Sequence, residues 1–306
     1  KDVEARMKQK LEENKGIPAQ LLWMLAVISG LSVANLYYNQ PLLNRISEDL
    51  DISEFTANLI PMTTQIGYAL GLLFIIPLGD LYNRKHIIVV NFLLLVAATC
   101  SIASSSSVPY ILAASLVTGV CSVMPQIFIP IAAQFSLPQN KARNVGMMVS
   151  GLLTGILGSR VVSGFVGEYW GWRTMYYIAA VLMLLCIFLI LRVLPDMPSN
   201  FKGTYGGLMK SLFSLYRNQP TIRMVSVRAG CCFGSFLALW ACLAFKLSGE
   251  PFHAGNNVIG MLGLCGIAGA LTASFVGSLV HKLGVRFFTY LGCGLMILAW
   301  VVMYML

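Results

Sequence analysis

Phe74-Ile75-Ile76-Pro77-Leu78-Gly79-Asp80-Leu81-Tyr82-Asn83-Arg84-Lys85 joins two long apolar runs, and 201 residues later Phe275-Val276-Gly277-Ser278-Leu279-Val280-His281-Lys282-Leu283-Gly284-Val285-Arg286 joins two more. Two related loops at that separation imply two parallel repeats. Outward from these loops, runs of about the 20 apolar residues needed to cross a bilayer lie at 21–41, 57–79, 86–106, 109–133, 144–167, 173–193, 221–245, 258–280 and 287–306, nine in all. The expected fold is therefore an all-α membrane protein, since helices satisfy their own backbone hydrogen bonds in lipid.

Composition agrees. Of the 306 residues, 57% are hydrophobic and 11% charged, against about 25% charged in soluble domains. A water-soluble enzyme and a disordered chain are both excluded. Lys and Arg orient the spans. With the N-terminus cytoplasmic, sixteen basic residues fall on the inner side: Lys1, Arg6, Lys8, Lys10 and Lys15 in the tail, Arg84 and Lys85, Lys141 and Arg143, five in the central loop, and Lys282 and Arg286. Three, Arg45, Arg173 and Lys246, fall outside. The net charge of +9 is scattered over short loops, so it predicts positive-inside anchoring and no nucleic-acid partner. The eight cysteines sit in apolar runs without metal-ligand spacing, which predicts no disulfide, metal or cofactor.

The chain divides into a cytoplasmic tail (1–20), a six-span half (21–193), a linker (194–220) and three further spans (221–306). The linker, with Pro195, Pro198 and three glycines before an amphipathic stretch from Leu208 to Tyr216, reads as cytoplasmic and partly membrane-surface. A repeat of about 200 residues predicts a complete protein of roughly 400 with six spans per half; on that arithmetic about three spans of twelve lie beyond this sequence.

These features resemble the major facilitator superfamily, specifically its twelve-span proton-coupled drug and sugar efflux branch. In the family the first loop runs Gly-x-Leu-x-Asp-Arg-x-Gly-Arg-Arg/Lys; here Leu78, Asp80, Arg84 and Lys85 match, while Ile76, Leu81 and Asn83 depart. The second copy keeps Gly277, Leu279, Gly284 and Arg286, with His281 in place of Asp. Asn35-Leu36-Tyr37-Tyr38-Asn39-Gln40-Pro41 and Gly171-Trp172-Arg173 are also similar to this branch. Ser115 stands where span four usually has Arg, and Ile156 where span five usually has Pro. The resemblance implies a monomeric secondary transporter of the cytoplasmic membrane that exports a small organic molecule by alternating access, coupled to protons. The alternative is a shortened, non-transporting remnant of such a protein.

Arg160 is the sharpest candidate residue. It lies about 24 Å into its span at 1.5 Å per residue, where an arginine normally meets a wet cavity or a partner. Asn35, Tyr38, Asn39, Gln40, Gln65 and Gln126 are polar groups of spans one, two and four that need partners in lipid and are expected to line the same cavity. Asp80, Arg84, Lys85 and Arg286 are expected to form a cytoplasmic latch, with Asp80 bridging to the other group of helices. Gly151, Gly155 and Gly158 are expected to pack helices closely. No Asp or Glu lies mid-span; Glu168 is the nearest, at the outer end of span five, and His86, His253 and His281 are in loops. A proton carrier would then be Glu168, a mouth residue or a group in spans beyond this sequence. No cluster of His or carboxylates marks an enzyme.

Overall fold

A computed structural model describes residues 11–197, 203–255, 257–262, 266 and 283–305. Among the described residues twelve helices with fully described bounds carry the fold. They are α1 (Ala19–Ala34), α2 (Leu43–Asp49), α3 (Glu54–Phe74), α4 (Leu78–Leu81), α5 (Arg84–Ser104), α6 (Val108–Cys121), α7 (Pro125–Phe135), α8 (Lys141–Trp170), α9 (Trp172–Val193), α10 (Tyr205–Asn218), α11 (Pro220–Ser248) and α12 (Val285–Met305). A short helical stretch covers 257–262. Seven helical segments are long and apolar enough to cross a membrane, with α1 a shorter apolar helix beside them. The rest of the expected span 258–280, and residues 275–282 of the second loop copy, lie outside the described residues.

Local chemistry sets the ends. Ser53 Oγ accepts from Thr56 N at 3.2 Å to start α3, and Asn83 Oδ1 accepts from Lys85 N at 3.0 Å to start α5, each satisfying an orphan amide. Gly171, at φ 83°, turns α8 into α9 within one residue, a backbone shape that side chains resist.

Two spans are broken inside the bilayer. Span one leaves the α-helix after Ala34, tightens through i→i+3 bonds such as Tyr37 N to Ala34 O (2.9 Å), and resumes as α2. Span four breaks between α6 and α7, ahead of Pro125. The freed polar groups find partners, as lipid requires: Asn35 Nδ2 donates to Leu31 O (2.9 Å) and Ser32 O (3.2 Å), and Ser32 Oγ donates to Ser122 O at 3.4 Å. The break corrects one expectation. Residues 43–49 form a helix rather than a loop because Leu42, Leu43 and Ile46 bury into the outer core with Trp172 and Tyr176.

Small residues close the bundle, as they do where lipid removes the hydrophobic drive between helices. On the α1–α8 seam a Cβ on Gly30 would lie 2.7 Å from Gly151 O, and one on Gly155 would strike Gly30 O. On the α3–α6 seam Gly67, Gly71 and Gly119 meet the facing backbone in the same way. Leu94, Leu184, Leu185 and Phe188 remain exposed on the outer faces of α5 and α9, where acyl chains would cover them. In the second half, α11 and α12 are tied by Trp300 Nε1 to Ser235 Oγ (2.8 Å) and Lys246 Nζ to Met303 O (2.6 Å). Helix α10 lies exposed along the linker, touching the first half where the Tyr205 hydroxyl donates to Phe74 O at 3.1 Å.

Candidate functional site

Arg160 is 1% exposed, among the most buried large side chains of the molecule. Its Nε donates to Gln40 Oε1 and its Nη1 to Ile156 O, each at 2.9 Å. Aromatic faces surround the rest: the guanidinium carbon stands 4.8 Å from the Tyr37 ring centre, 4.6 Å from Trp240 and 6.0 Å from Phe236. Cation–π attraction strengthens as water is removed, which helps this charge persist far from bulk solvent. Nη2 is buried with no partner among the described residues.

Four elements build this cage. Tyr37 and Gln40 come from the turn after α1, Arg160 from α8, and Trp240 and Phe236 from α11. The fourth is the 257–262 stretch, where a Cβ on Gly260 would lie 2.5 Å from Arg160 O. The two halves therefore meet at Arg160. Between Gln40, Pro41, Trp240 and Ile259 only about 10 Å³ of space remains beside it. Farther out, Gly255 lies against Glu168, whose carboxylate is 3.6 Å from Arg45.

A polar path leads from the cage into the first half. Gln65 lines a cavity together with Gln40, Tyr68 packs beside Tyr37, and Gln126 Nε2 donates to the Tyr68 hydroxyl at 3.3 Å. Gln65 Nε2 is buried without a partner among the described residues. Arg160, Gln40, Gln65 and Gln126 are thus brought together. Tyr38 is not: it points into the outer core of the first half, because its neighbour Tyr37 takes the inward direction. Asn35 Nδ2 donates to the carbonyls of its own helix, while its Oδ1 is buried with no partner among the described residues. Asn39 is buried with an unpartnered Oδ1. Tyr37, Tyr68, Phe236 and Trp240 are additions to the expected set, and the signal for them was the cation itself: a buried guanidinium with no mid-span carboxylate requires aromatic faces or amides.

At the α4–α5 end of the bundle Arg84 is held within the first half. Its Nε donates to Gly79 O (3.2 Å), its Nη1 to Gln134 Oε1 (2.8 Å), and its Nη2 lies 3.7 Å from Asp80. Gln134 in turn donates to Glu13. The chain at 14–16 lies along the end of α7 through Asn14 N to Gln134 O and Gly16 N to Phe135 O. Lys85 Nζ donates to Leu191 O at 3.2 Å. The bridge expected from Asp80 to the second half is corrected: its ion-pair partner is Arg84, one helical turn away. Arg286 is exposed at the start of α12.

The outer mouth has its own clasp. Arg173 binds Asp49, stacks on Trp172 at 4.3 Å and donates to Ser106 Oγ at 3.2 Å, while Trp172 Nε1 also donates to Asp49 (3.1 Å). The bond from Arg173 holds the Asp49 carboxyl below its ordinary range.

The chain's closest-packing glycines also sort themselves. Gly151 and Gly155 sit on the α1 seam, but a Cβ on Gly158 would meet nothing within 4 Å. Among the described residues Gly158 therefore has no packing partner, because the α1 seam has rotated away by that turn of α8.

Comparison with known proteins places the whole arrangement. The Major Facilitator Superfamily pattern matches residues 22–306. The chain is 36% identical over 287 residues to an Escherichia coli protein named uncharacterized transporter YgaY, covering 94% of this chain and 73% of that one. It is 31% identical to the Streptomyces coelicolor protein named probable transporter SCO4007, covering 88% of this chain and 63% of that one. In fold it is similar to the crystal structure of a bacterial homologue of the human lysosomal transporter Spinster, in an inward-facing and occupied conformation, with a TM-score of 0.68 and 16% identity over 88% of this chain and 62% of that one. These relatives are transporters, not enzymes.

Proposed function

The chain belongs to the Major Facilitator Superfamily, and from that premise we propose that it is a monomeric secondary transporter of the cytoplasmic membrane. On this reading the N-terminus is cytoplasmic, and a small organic molecule is exported by alternating access in exchange for protons. The observation that carries the reading is the closure at Arg160. There the second half covers a buried cation of the first half through Trp240, Ile259 and Gly260. Along α11 this contact is confined to the outer part, since Pro220–Gly234 are exposed and the stretch from Ser235 is largely half-buried. Contact on one side of a central charge, with the other side of the same helix free, is the asymmetry that alternating access requires.

Export and proton exchange follow from the likeness to the efflux branch. The carboxylate best placed to take a proton is Glu168, at the outer end of α8 beside Arg45 and Gly255. The spans themselves contain no mid-bilayer Asp or Glu.

The test compares cells producing the protein with cells producing Arg160→Ala at equal membrane level, by mass-spectrometric profiling of the medium. At least one small organic compound is expected to accumulate outside in the first case only, and its export should collapse with a protonophore. Identical media would overturn transport; export that ignores the protonophore would overturn proton exchange alone.

A further inference from the structure

A buried donor at the meeting point of the halves, Arg160 Nη2, has no acceptor among the described residues. The Tyr37 ring faces the same guanidinium. A buried donor left unmade is costly, more so when charged, and fold-internal ion pairs do not serve this one. The acidic groups Asp49, Asp80 and Glu168 each face another arginine. The elements packed on the cage present Gln40, Tyr37, Trp240, Phe236 and Ile259, and none of these is anionic.

Resting on the transporter reading, we propose that the transported molecule is a small organic carboxylate. One of its oxygens accepts from Arg160 Nη2, and its apolar body lies against the aromatic rings. A carboxylate offers two acceptor oxygens to a guanidinium, and its charge answers the one cation the cage holds. The space of about 10 Å³ beside Arg160 is smaller than any such molecule, so binding requires Trp240 and Ile259 to withdraw. Occupancy and separation of the halves on this side are then one event. A ligand that binds one arrangement better shifts the protein towards it.

The experiment titrates the purified full chain in detergent with benzoate, hexanoate, benzamide or benzylamine at constant ionic strength. Chloride is varied separately, and tryptophan emission and thermal midpoint are both followed. Benzoate or hexanoate is expected to give a saturable emission change that Trp240→Phe removes while the thermal shift persists. Arg160→Gln should weaken that binding by about tenfold or more, the scale of a lost charge-assisted bond. Arg160→Lys, which keeps the charge but loses the guanidinium fork and guards against a misfolded glutamine variant, should weaken it by about fivefold. Arg228→Gln, on the exposed part of α11, should leave it unchanged.

Benzamide or benzylamine binding as well as benzoate would overturn the proposal. So would saturation by chloride alone, which would mark an inorganic anion site, and so would silence from both carboxylates. Because binding is read without transport, a chain that exports a neutral compound but ignores carboxylates sinks only this inference. Carboxylate binding without export sinks only the transporter reading.

Discussion

Glycines of the same kind, in helices of similar apolar character, meet opposite surroundings in the two halves. In the first half Gly30, Gly119, Gly151 and Gly155 touch the backbone of a facing helix, whereas Gly230, Gly234, Gly292 and Gly294 of α11 and α12 have, among the described residues, nothing within 4 Å of where a Cβ would stand. Hydropathy makes all of these segments able to enter a membrane but does not say which faces bury. Burial comes from pairing: small residue opposite small residue along a seam, with polar clasps at the ends. Among the described residues the ion pairs Arg45–Glu168, Arg84–Asp80 and Arg173–Asp49 join parts of the first half, and Lys15–Glu12 lies within the tail. The second half meets it mainly at Arg160, its outer surroundings and Leu157, against which Gly266 packs.

The hardest test of that contrast is to fill a seam. Gly155→Leu places a side chain into Gly30's backbone, which neither helix can yield without separating; overpacking of this kind costs about 3 kcal/mol or more. Gly292→Leu, facing open space, should stay within about 0.5 kcal/mol. Thermal unfolding in detergent should show the first variant scarcely recoverable and the second near the parent. Equal loss in both would mean that the seam is not what holds the first half.

Next comes the meeting point itself. Arg160→Ala strips Gln40 of its donor and Trp240 and Tyr37 of their cation. Export should fall by at least about tenfold, as expected for loss of a charged hydrogen-bonding partner in a dry site. Arg228→Ala, exposed on α11, should keep more than half of it. If the two variants transported alike, Arg160 would be a packing residue only.

Much of this could be read in the sequence, for stated physical reasons. Spans follow from run length, and Arg160 from the cost of a charge in lipid. The features that escaped all depend on direction within a helix. Tyr37 and Tyr38 are adjacent, and the tightened turns after Ala34 decide which one faces the cage. Gly155 and Gly158 are one turn apart on α8, yet only the first lies on the seam. Residues 43–49 carry three charged side chains and read as loop, while Leu43 and Ile46, one turn apart, anchor a helix. Asp80 has Arg84 four residues on, and that local partner is within reach without any second half.

Gly158 gives a smaller test of the same contrast. With open space at its Cβ and a place inside α8, Gly158→Ala should raise stability by roughly 0.5–1 kcal/mol, since alanine loses less backbone freedom in a helix. Gly151→Ala, aimed at Ala26's backbone, should lower it. The pair of midpoints moving in the same direction would show that the seam does not distinguish these two glycines.

The smallest effect is expected at the outer clasp, and it depends on pH. Asp49 has its pKa lowered from 3.8 by the bond from Arg173 first, with Trp172 adding to it and partial burial opposing. A carboxyl whose folded value lies below its unfolded one contributes stability that is fully present above about pH 4 and disappears as pH falls through the folded value. The pair is part-exposed, so screening keeps its contribution within about 1 kcal/mol. Asp49→Asn should therefore lower the thermal midpoint slightly at pH 7 and not at pH 3, where the parent has lost the same interaction. Trp172 should then lose an acceptor charge but keep an amide oxygen, so the α2–α9 contact survives in weakened form. A deficit as large at pH 3 as at pH 7 would assign the effect to packing around Trp172 rather than to the charge, and the first half would be held at its outer mouth by shape alone.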